Sequence, residues 1–291
     1  MINNNQLMQS TYLKDDLIFY KEHHSVDSIL GDRLIVDPSK IDYIIHYINK
    51  KNVKSIVINQ SFFKLDTLNF LEKIPSIEGL YLLQDNLDVS FINKLHNLKV
   101  LRINNINNLL DLSNFPNLQV LSFTHSKFVT NISSCKQVFW LWIDKYKKDN
   151  LIELKELVNL QHLNLFQSSI KNLEGIENLT NLKYIRLDTV KKLESLKGLS
   201  QNQINLTVLD IYSALRLNNY EEISNVKSLK QLELRKTGET NSISFIKDLP
   251  NLKIITLGLK VLDGQMSFLK GVEKVGFIDF SHYSHKMKDF K

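Results

Sequence analysis

Few side chains in this sequence are of a type and spacing that could do chemistry. Cys135 is the single thiol, and it stands in Ser133-Ser134-Cys135-Lys136. A nucleophilic role would need a base beside it and a lowered pKa, and the sequence supplies neither. A small buried residue is the better reading of a free cysteine so placed. His23-His24 and His282-x-x-His285 are the histidine clusters, and each falls short of the three or four ligands that a metal site requires. No phosphate-cradling loop, Gly-x-Ser-x-Gly elbow or dinucleotide fingerprint occurs, and the nine glycines are scattered. The expectation is a chain that is not an enzyme and takes no cofactor and no metal.

Composition narrows the class. A hydrophobic fraction of 43% with 23% charged residues suits a soluble folded protein. The first ten residues lack the basic start and unbroken apolar stretch of a secretory signal, and no segment reaches transmembrane length. A cytoplasmic protein without a membrane partner is therefore expected, and one lone cysteine agrees with a reducing compartment. The net charge of +6 is a mild excess whose meaning depends on where it gathers.

The elements that must position any functional residue come from a repeat. The pattern apolar-x-x-apolar-x-apolar begins at Val53, Ile77, Leu98, Leu118, Val138, Leu160, Leu182, Leu206, Leu229, Leu252 and Val272. The spacing averages about 22 residues, within the range of leucine-rich repeats. Two markers keep the same phase. Asn precedes the first apolar residue at Asn97, Asn117, Asn159, Asn181, Asn205 and Asn251. Pro75, Pro116 and Pro250 stand two places before it, where a residue that cannot donate to a ladder suits a turn leading into a strand.

The clearest stretch, Leu157-x-x-Leu160-x-x-Leu163-x-Leu165-x-x-Ser168-x-Ile170-x-x-Leu173-x-x-Ile176-x-x-Leu179, resembles the leucine-rich repeats of the bacterial internalin-like class. The resemblance covers roughly residues 53–279. It implies an α/β solenoid of about eleven coils, with a curved parallel sheet on the concave face and short helices or turns on the convex face. Family coils carry Asn three places after the last strand leucine. Here those positions read Ser61, Asp85, Ile106, Ser126, Tyr146, Ser168, Val190, Ala214, Thr237 and Lys260, so that asparagine ladder is missing.

One coil cannot bury its own leucines, so the array needs caps. Residues 1–52 form an N-terminal flank and cap, 53–279 the solenoid and 280–291 a C-terminal cap or tail. A helix is predicted over 39–51, where Ile41, Ile44, Ile45 and Ile48 share one face, Ser39 is the expected N-cap and Asn52 the stop. Leu17-Ile18-Phe19-Tyr20 and Arg33-Leu34-Ile35-Val36 read as strands or as further cap packing.

Strand alternation then maps the open face, because residues flanking the inward leucines must point outward. The outward set includes Tyr81 with Leu83 and Gln84, Arg102, Trp140, Trp142, Asp144, His162, Asn164, Phe166, Tyr184, Arg186, Asp188, Asp210, Tyr212, Glu233, Arg235 and Leu259. Both tryptophans of the chain fall in one strand of this face. With Phe166, Tyr184 and Tyr212 they should form an aromatic stripe roughly 15 Å across, rimmed by charge, since strands stack about 4.8 Å apart. Such patches mark interaction sites. Trp142 ranks first among these residues and Tyr184 second. Positive and negative residues interleave on the face, which argues against nucleic acid as the partner. A chain that is monomeric when free and binds another protein is expected, for instance a cytosolic inhibitor or immunity protein that neutralises a cognate toxin or enzyme. The rival setting is a secreted internalin-like effector or adhesin binding a host protein.

Overall fold

In the computed structural model, which describes residues 11–21 and 29–290, the apolar spacing becomes strands. His23 and His24 lie outside the described residues. The chain folds as two units, 1–140 and 141–291. In the first, β1 (Thr11–Lys14) and β2 (Leu17–Tyr20) form an antiparallel hairpin that pairs with β3 (Arg33–Ile35). Helix α1 (Ile41–Lys51) follows. From β3 the sheet runs parallel through β4 (Ser55–Asn59), β5 (Gly79–Leu83) and β6 (Val100–Ile103). Beyond a short β7 (Leu110–Asp111) it adds β8 (Val120–Thr124), while β7 pairs separately with β9 (Val129–Thr130).

Strand β10 (Trp140–Asp144) begins at the last residue of the first unit and continues into the second. There β11 (His162–Phe166), β12 (Tyr184–Asp188), β13 (Val208–Ala214), β14 (Gln231–Thr237), β15 (Ile254–Gly258) and β16 (Lys274–Phe277) pair parallel, each in register with the next. Each strand of the array starts two residues after the first apolar residue of its repeat. The inward residues seal the core: Leu163, Leu165, Ile185, Leu187, Leu209, Ile211, Leu232 and Leu234 are buried. Burial of such side chains is worth about 1.5–3 kcal/mol each before conformational entropy is counted.

Behind the strands the coils turn through single 3-10 segments such as Asn69–Lys73, Ser90–Lys94, Glu221–Asn225 and Ser244–Asp248. Each of these segments is five residues long, and i to i+3 bonding reverses direction in fewer residues than an α-helix. Among the described residues no helix is long and apolar enough to cross a membrane.

The missing asparagine ladder has moved. Four of the phase-marking asparagines tie their coils to the one before. Asn97 Nδ2 donates to Pro75 O at 3.1 Å, Asn181 to Val158 O at 2.9 Å, Asn205 to Thr180 O at 2.9 Å and Asn251 to Lys227 O at 2.8 Å. At the position where family coils carry Asn, Tyr146, Val190 and Ala214 are buried apolar fillers, and the Ser168 hydroxyl donates to Tyr146 O at 3.3 Å.

The ends differ from expectation in one detail. Asp37, not Ser39, is the capping residue: its Oδ1 accepts from Ser39 N at 2.9 Å and from Ser39 Oγ at 2.7 Å. Pro38 occupies the first position of the 3-10 turn Pro38–Lys40, so the cap must precede it. Asn52 ends α1 in the left-handed conformation, its N–H donating to Ile48 O. At the other end the rings of Phe280 and Tyr283 meet at 5.3 Å, and Phe277 packs on Phe290 at 5.7 Å. His282 Nε2 lies 2.9 Å from Val261 O, and Val261 N donates to Tyr283 Oη at 2.8 Å. These histidines belong to the cap, and among the described residues no group of three His, Cys, Asp or Glu side chains is placed to hold a metal.

Candidate protein-binding face

In-register parallel pairing puts residues at the same strand position side by side, so the outward face of the second unit is made of rows. His162 sits opposite Tyr184, then Val208, Gln231, Ile254 and Lys274. The central row runs Asn164, Arg186, Asp210, Glu233, Thr256, and the third Phe166, Asp188, Tyr212, Arg235, Gly258. The expected single aromatic stripe is therefore corrected to two aromatic edges with a polar row between them. Tyr184 occupies the first strand position and Phe166 and Tyr212 the fifth, and pairing carries them to opposite sides of the central row.

The central row is held by charge. Asp210 is buried, with Arg235 Nη2 donating to its Oδ1 at 2.8 Å and Arg186 Nε 3.8 Å from its Oδ2. Arg186 also reaches Asp188 Oδ2 at 3.2 Å, and Arg235 Nε lies 3.2 Å from Glu233 Oε2. The expectation that Asp210 is an open rim charge is corrected: two arginines roof it, and they in turn are about two-fifths exposed. Partial burial acts to lower the Arg186 pKa, but its bond to Asp188 and the nearness of Asp210 outweigh it and the net shift is upward. The bond to Asp210 likewise raises Arg235. Both stay charged at any physiological pH.

Around this row the aromatic edges are half-buried. The His162 and Tyr184 rings meet at 5.9 Å, and burial lowers His162 and raises Tyr184. Tyr212 lies under Arg235 at 5.8 Å and Lys236 at 5.2 Å. Trp142 occupies the strand position equivalent to Asn164, and its Nε1 donates to Asp144 Oδ1 at 2.7 Å, fixing the indole while leaving part of it in solvent. Asn164 and Leu259, expected to point outward into solvent, are buried.

The first unit presents a different face. Tyr81, expected to be exposed, is buried at 3%, packed with Ile35, Val57, Val100 and Val120. Its ring is covered by the Arg33 guanidinium at 3.9 Å and approached by Arg102 at 5.6 Å. Arg102 also stands 5.1 Å from the ring of Trp140, and burial lowers its pKa to about 10. Gln84 is buried too, because its amide accepts from Leu65 N at 2.9 Å and donates to Leu65 O at 2.6 Å. Arg33 and Tyr20 were missed by sequence reasoning, since they lie in the flank before the first repeat. The signal available was the run Leu34-Ile35-Val36 directly after Arg33, which reads as one more strand of the sheet.

Cys135 is buried, and burial first, with Asp111 second, pushes its thiol up to about 12. It is not poised for nucleophilic attack.

Comparison with known proteins agrees with this architecture. No family model matches the sequence. A stretch of 108 residues is 38% identical to a probable disease resistance protein of Arabidopsis thaliana, spanning 34% of this chain and 12% of that protein, so the chain corresponds to about an eighth of the length of the curated relative. Among solved structures, an internalin of Listeria monocytogenes is similar over 81% of this chain and 71% of its own, with a TM-score of 0.63 at 14% identity. The functional domain of InlJ from the same species matches 76% of this chain and 48% of its own, with a TM-score of 0.52 at 17% identity. The plant peptide hormone receptor RGFR1, solved in complex with RGF2, matches 84% of this chain and 46% of its own, with a TM-score of 0.50 at 15% identity. With strands on one side, 3-10 turns behind them and leucines between, the chain has a leucine-rich-repeat fold like that of the Listeria monocytogenes internalin.

Proposed function

We propose that this chain is a protein-binding module that works by steric capture, docking its partner on the outward sheet face of β10–β14. The observation that carries the reading is the pairing of half-exposed aromatic rings, Trp142, Phe166, Tyr184 and Tyr212, with an ionic row already locked in place. Trp, Tyr and Arg dominate interface hot spots, and side chains held before docking lose little freedom when a partner arrives. Asp144, His162, Asp188, Asp210, Glu233 and Arg235 serve this face as scaffold and rim. Trp140 and Arg102, with Tyr81 beneath, belong to the first unit's own surface.

The finer reading is a cytosolic inhibitor or immunity protein that blocks a cognate toxin or enzyme. It is supported by the absence of any need for an oxidising compartment, as the one thiol is buried and held protonated. A photo-crosslinking residue at position 184, in the native cell, tests the docking face. A protein adduct from position 184 and none from Ile152, which is exposed on a 3-10 turn at the back of its coil, is the expected result. Equal adducts from both positions would remove the assignment to this face. If the adduct partner is an enzyme or toxin, stoichiometric addition of the chain should abolish its activity; undiminished activity would leave capture without inhibition.

A further inference from the structure

Parallel strands all leave a sheet at the same end, so the loops that follow them gather along one edge of the second unit. After β10–β14 these loops span 145–151, 167–173, 189–196, 213–220 and 236–243, and they carry eight Lys or Arg against three Asp or Glu. Two of the three carboxylates are engaged, Asp149 by Lys171 at 3.0 Å and Glu194 by Arg216 at 3.5 Å. Lys147 and Lys148 after β10, and Lys191 and Lys192 after β12, are exposed and make no ion pair among the described residues. Lys236 after β14 is exposed too and stands 5.2 Å from the Tyr212 ring, which joins this edge to the aromatic face. The cations thus lie on alternate coils, about 10 Å apart for strands that stack about 4.8 Å apart. In the coil between them Leu215 is 69% exposed. Val190 and Leu193 are buried at the positions matching Ala214 and Leu217, so Leu215 stands beside Lys191. On its other side Ala214 pairs with Thr237, and the next residue is Gly238, which has no side chain to cover it.

We propose that this edge receives an extended acidic segment of a protein partner, with Asp or Glu at about every third position meeting the lysines and an aliphatic side chain resting on Leu215. A chain in the polyproline II conformation has three residues per turn and rises about 3.1 Å per residue, so its i and i+3 side chains share a face about 9 Å apart, close to the spacing of the cations. Nucleic acid is recognised through arginine and through rings on which bases stack. Here the one arginine is engaged by Glu194, and the aromatic residues of the edge, Tyr146 and Tyr220, are buried. A phosphate backbone also has nothing to lay on an exposed leucine, whereas an aliphatic side chain does. Assigning the segment to the partner of the aromatic face rests on the binding role proposed above; the acidic chemistry of the edge does not. Clustered charge beside a docking face steers an oppositely charged partner toward it.

The probe is a fluorescent, capped peptide of four Glu-Leu-Gly repeats, titrated with the full-length chain and read by anisotropy. The expected result is saturable binding with half-saturation on the order of 0.1–1 mM at low salt, the range of several exposed ion pairs. Binding should weaken by about fivefold or more as added salt shortens the Debye length from about 30 Å to about 8 Å. The matching Gln-Leu-Gly peptide should bind at least tenfold more weakly. Lys191→Gln with Lys192→Gln should weaken the probe by about fivefold or more. Lys50→Gln with Lys51→Gln, which removes the same charge from the exposed end of α1, should change it by less than about twofold. Leu215→Ser should weaken the Glu-Leu-Gly peptide and leave a Glu-Ser-Gly peptide unchanged. Each substituted residue is exposed, so the variants are expected to fold. Equal loss from the two lysine pairs, no effect of Leu215→Ser, equal binding of the glutamine peptide, or tighter binding of single-stranded oligothymidine would each overturn the proposal. A chain that binds the peptide through these lysines yet gives no protein adduct from position 184 sinks the docking face and leaves the edge standing; an adduct without peptide binding sinks the edge alone.

Discussion

Cys135 shows what burial does to a single titratable group. An unfolded thiol ionises near ~8.5, whereas the folded one is pushed up to about 12. Between those values the unfolded chain has lost a proton that the folded chain keeps. The stabilisation is therefore complete below pH ~8.5 and is lost as pH rises toward the folded value, at no more than about 1.4 kcal/mol per pH unit. Denaturant unfolding at pH 8 and pH 10 should show a shallower decline for Cys135→Ala than for the parent; an identical decline would mean that the thiol is not sealed. The second residue-level case is Asp210 with Arg235. Because the Arg235 side chain is 40% exposed, solvent screens the pair. A double-mutant cycle of Asp210→Ala with Arg235→Ala should give a coupling of about 1–2 kcal/mol, and a coupling near zero would dismiss the ionic row as a structural feature. Alternation along each strand was enough to tell which side Tyr184, Arg186 and Asp188 face. It could not tell that Tyr81 and Asp210 are covered, because their covers, Arg33 and Arg235, arrive from strands 48 and 25 residues away in sequence.

Coils are fastened to one another by two devices visible at the level of elements. One is the asparagine row, in which Asn205 Nδ2 donates to Thr180 O at 2.9 Å from an exposed position. Since water can replace the lost partner there, Asn205→Ala should cost only about 0.5–1.5 kcal/mol by urea unfolding, with larger losses implying a buried tie. The other is close approach of backbones at Gly198, which has φ of +117° and no room for a Cβ against the Leu173 carbonyl of the preceding coil. Gly198→Ala should destabilise by about 2–4 kcal/mol, combining the strain of the left-handed conformation with the clash, and a neutral substitution would contradict the packing described. Strand starts were legible because the leucine spacing is a direct image of the coil repeat, and so was the phase of Asn205 within it. The tie that Asn205 makes was not, since its acceptor is a backbone carbonyl that leaves no mark in side-chain identity. Nor was the cap at Asp37, because a Ser two residues on from an Asp offers the same chemistry until Pro38 fixes where the turn begins.

At the scale of the whole molecule, the fold is a scaffold whose interior is largely leucine, and half-exposed outward positions such as Trp142 and Tyr184 stand outside that core. That separation is why the fold class could be read from spacing, while the arrangement of the face had to come from register. It also means that truncation on the face should affect binding far more than folding. Trp142, half-buried with its indole tied to Asp144, is the residue on which this turns. The most direct measurement is the affinity of purified Trp142→Ala for the crosslinked partner, taken beside its unfolding free energy. The expected result is a loss of about 2 kcal/mol in binding, roughly thirtyfold in Kd, with stability changed by less than about 1 kcal/mol. Unchanged affinity, or a loss of stability as large as the loss of binding, would contradict the account.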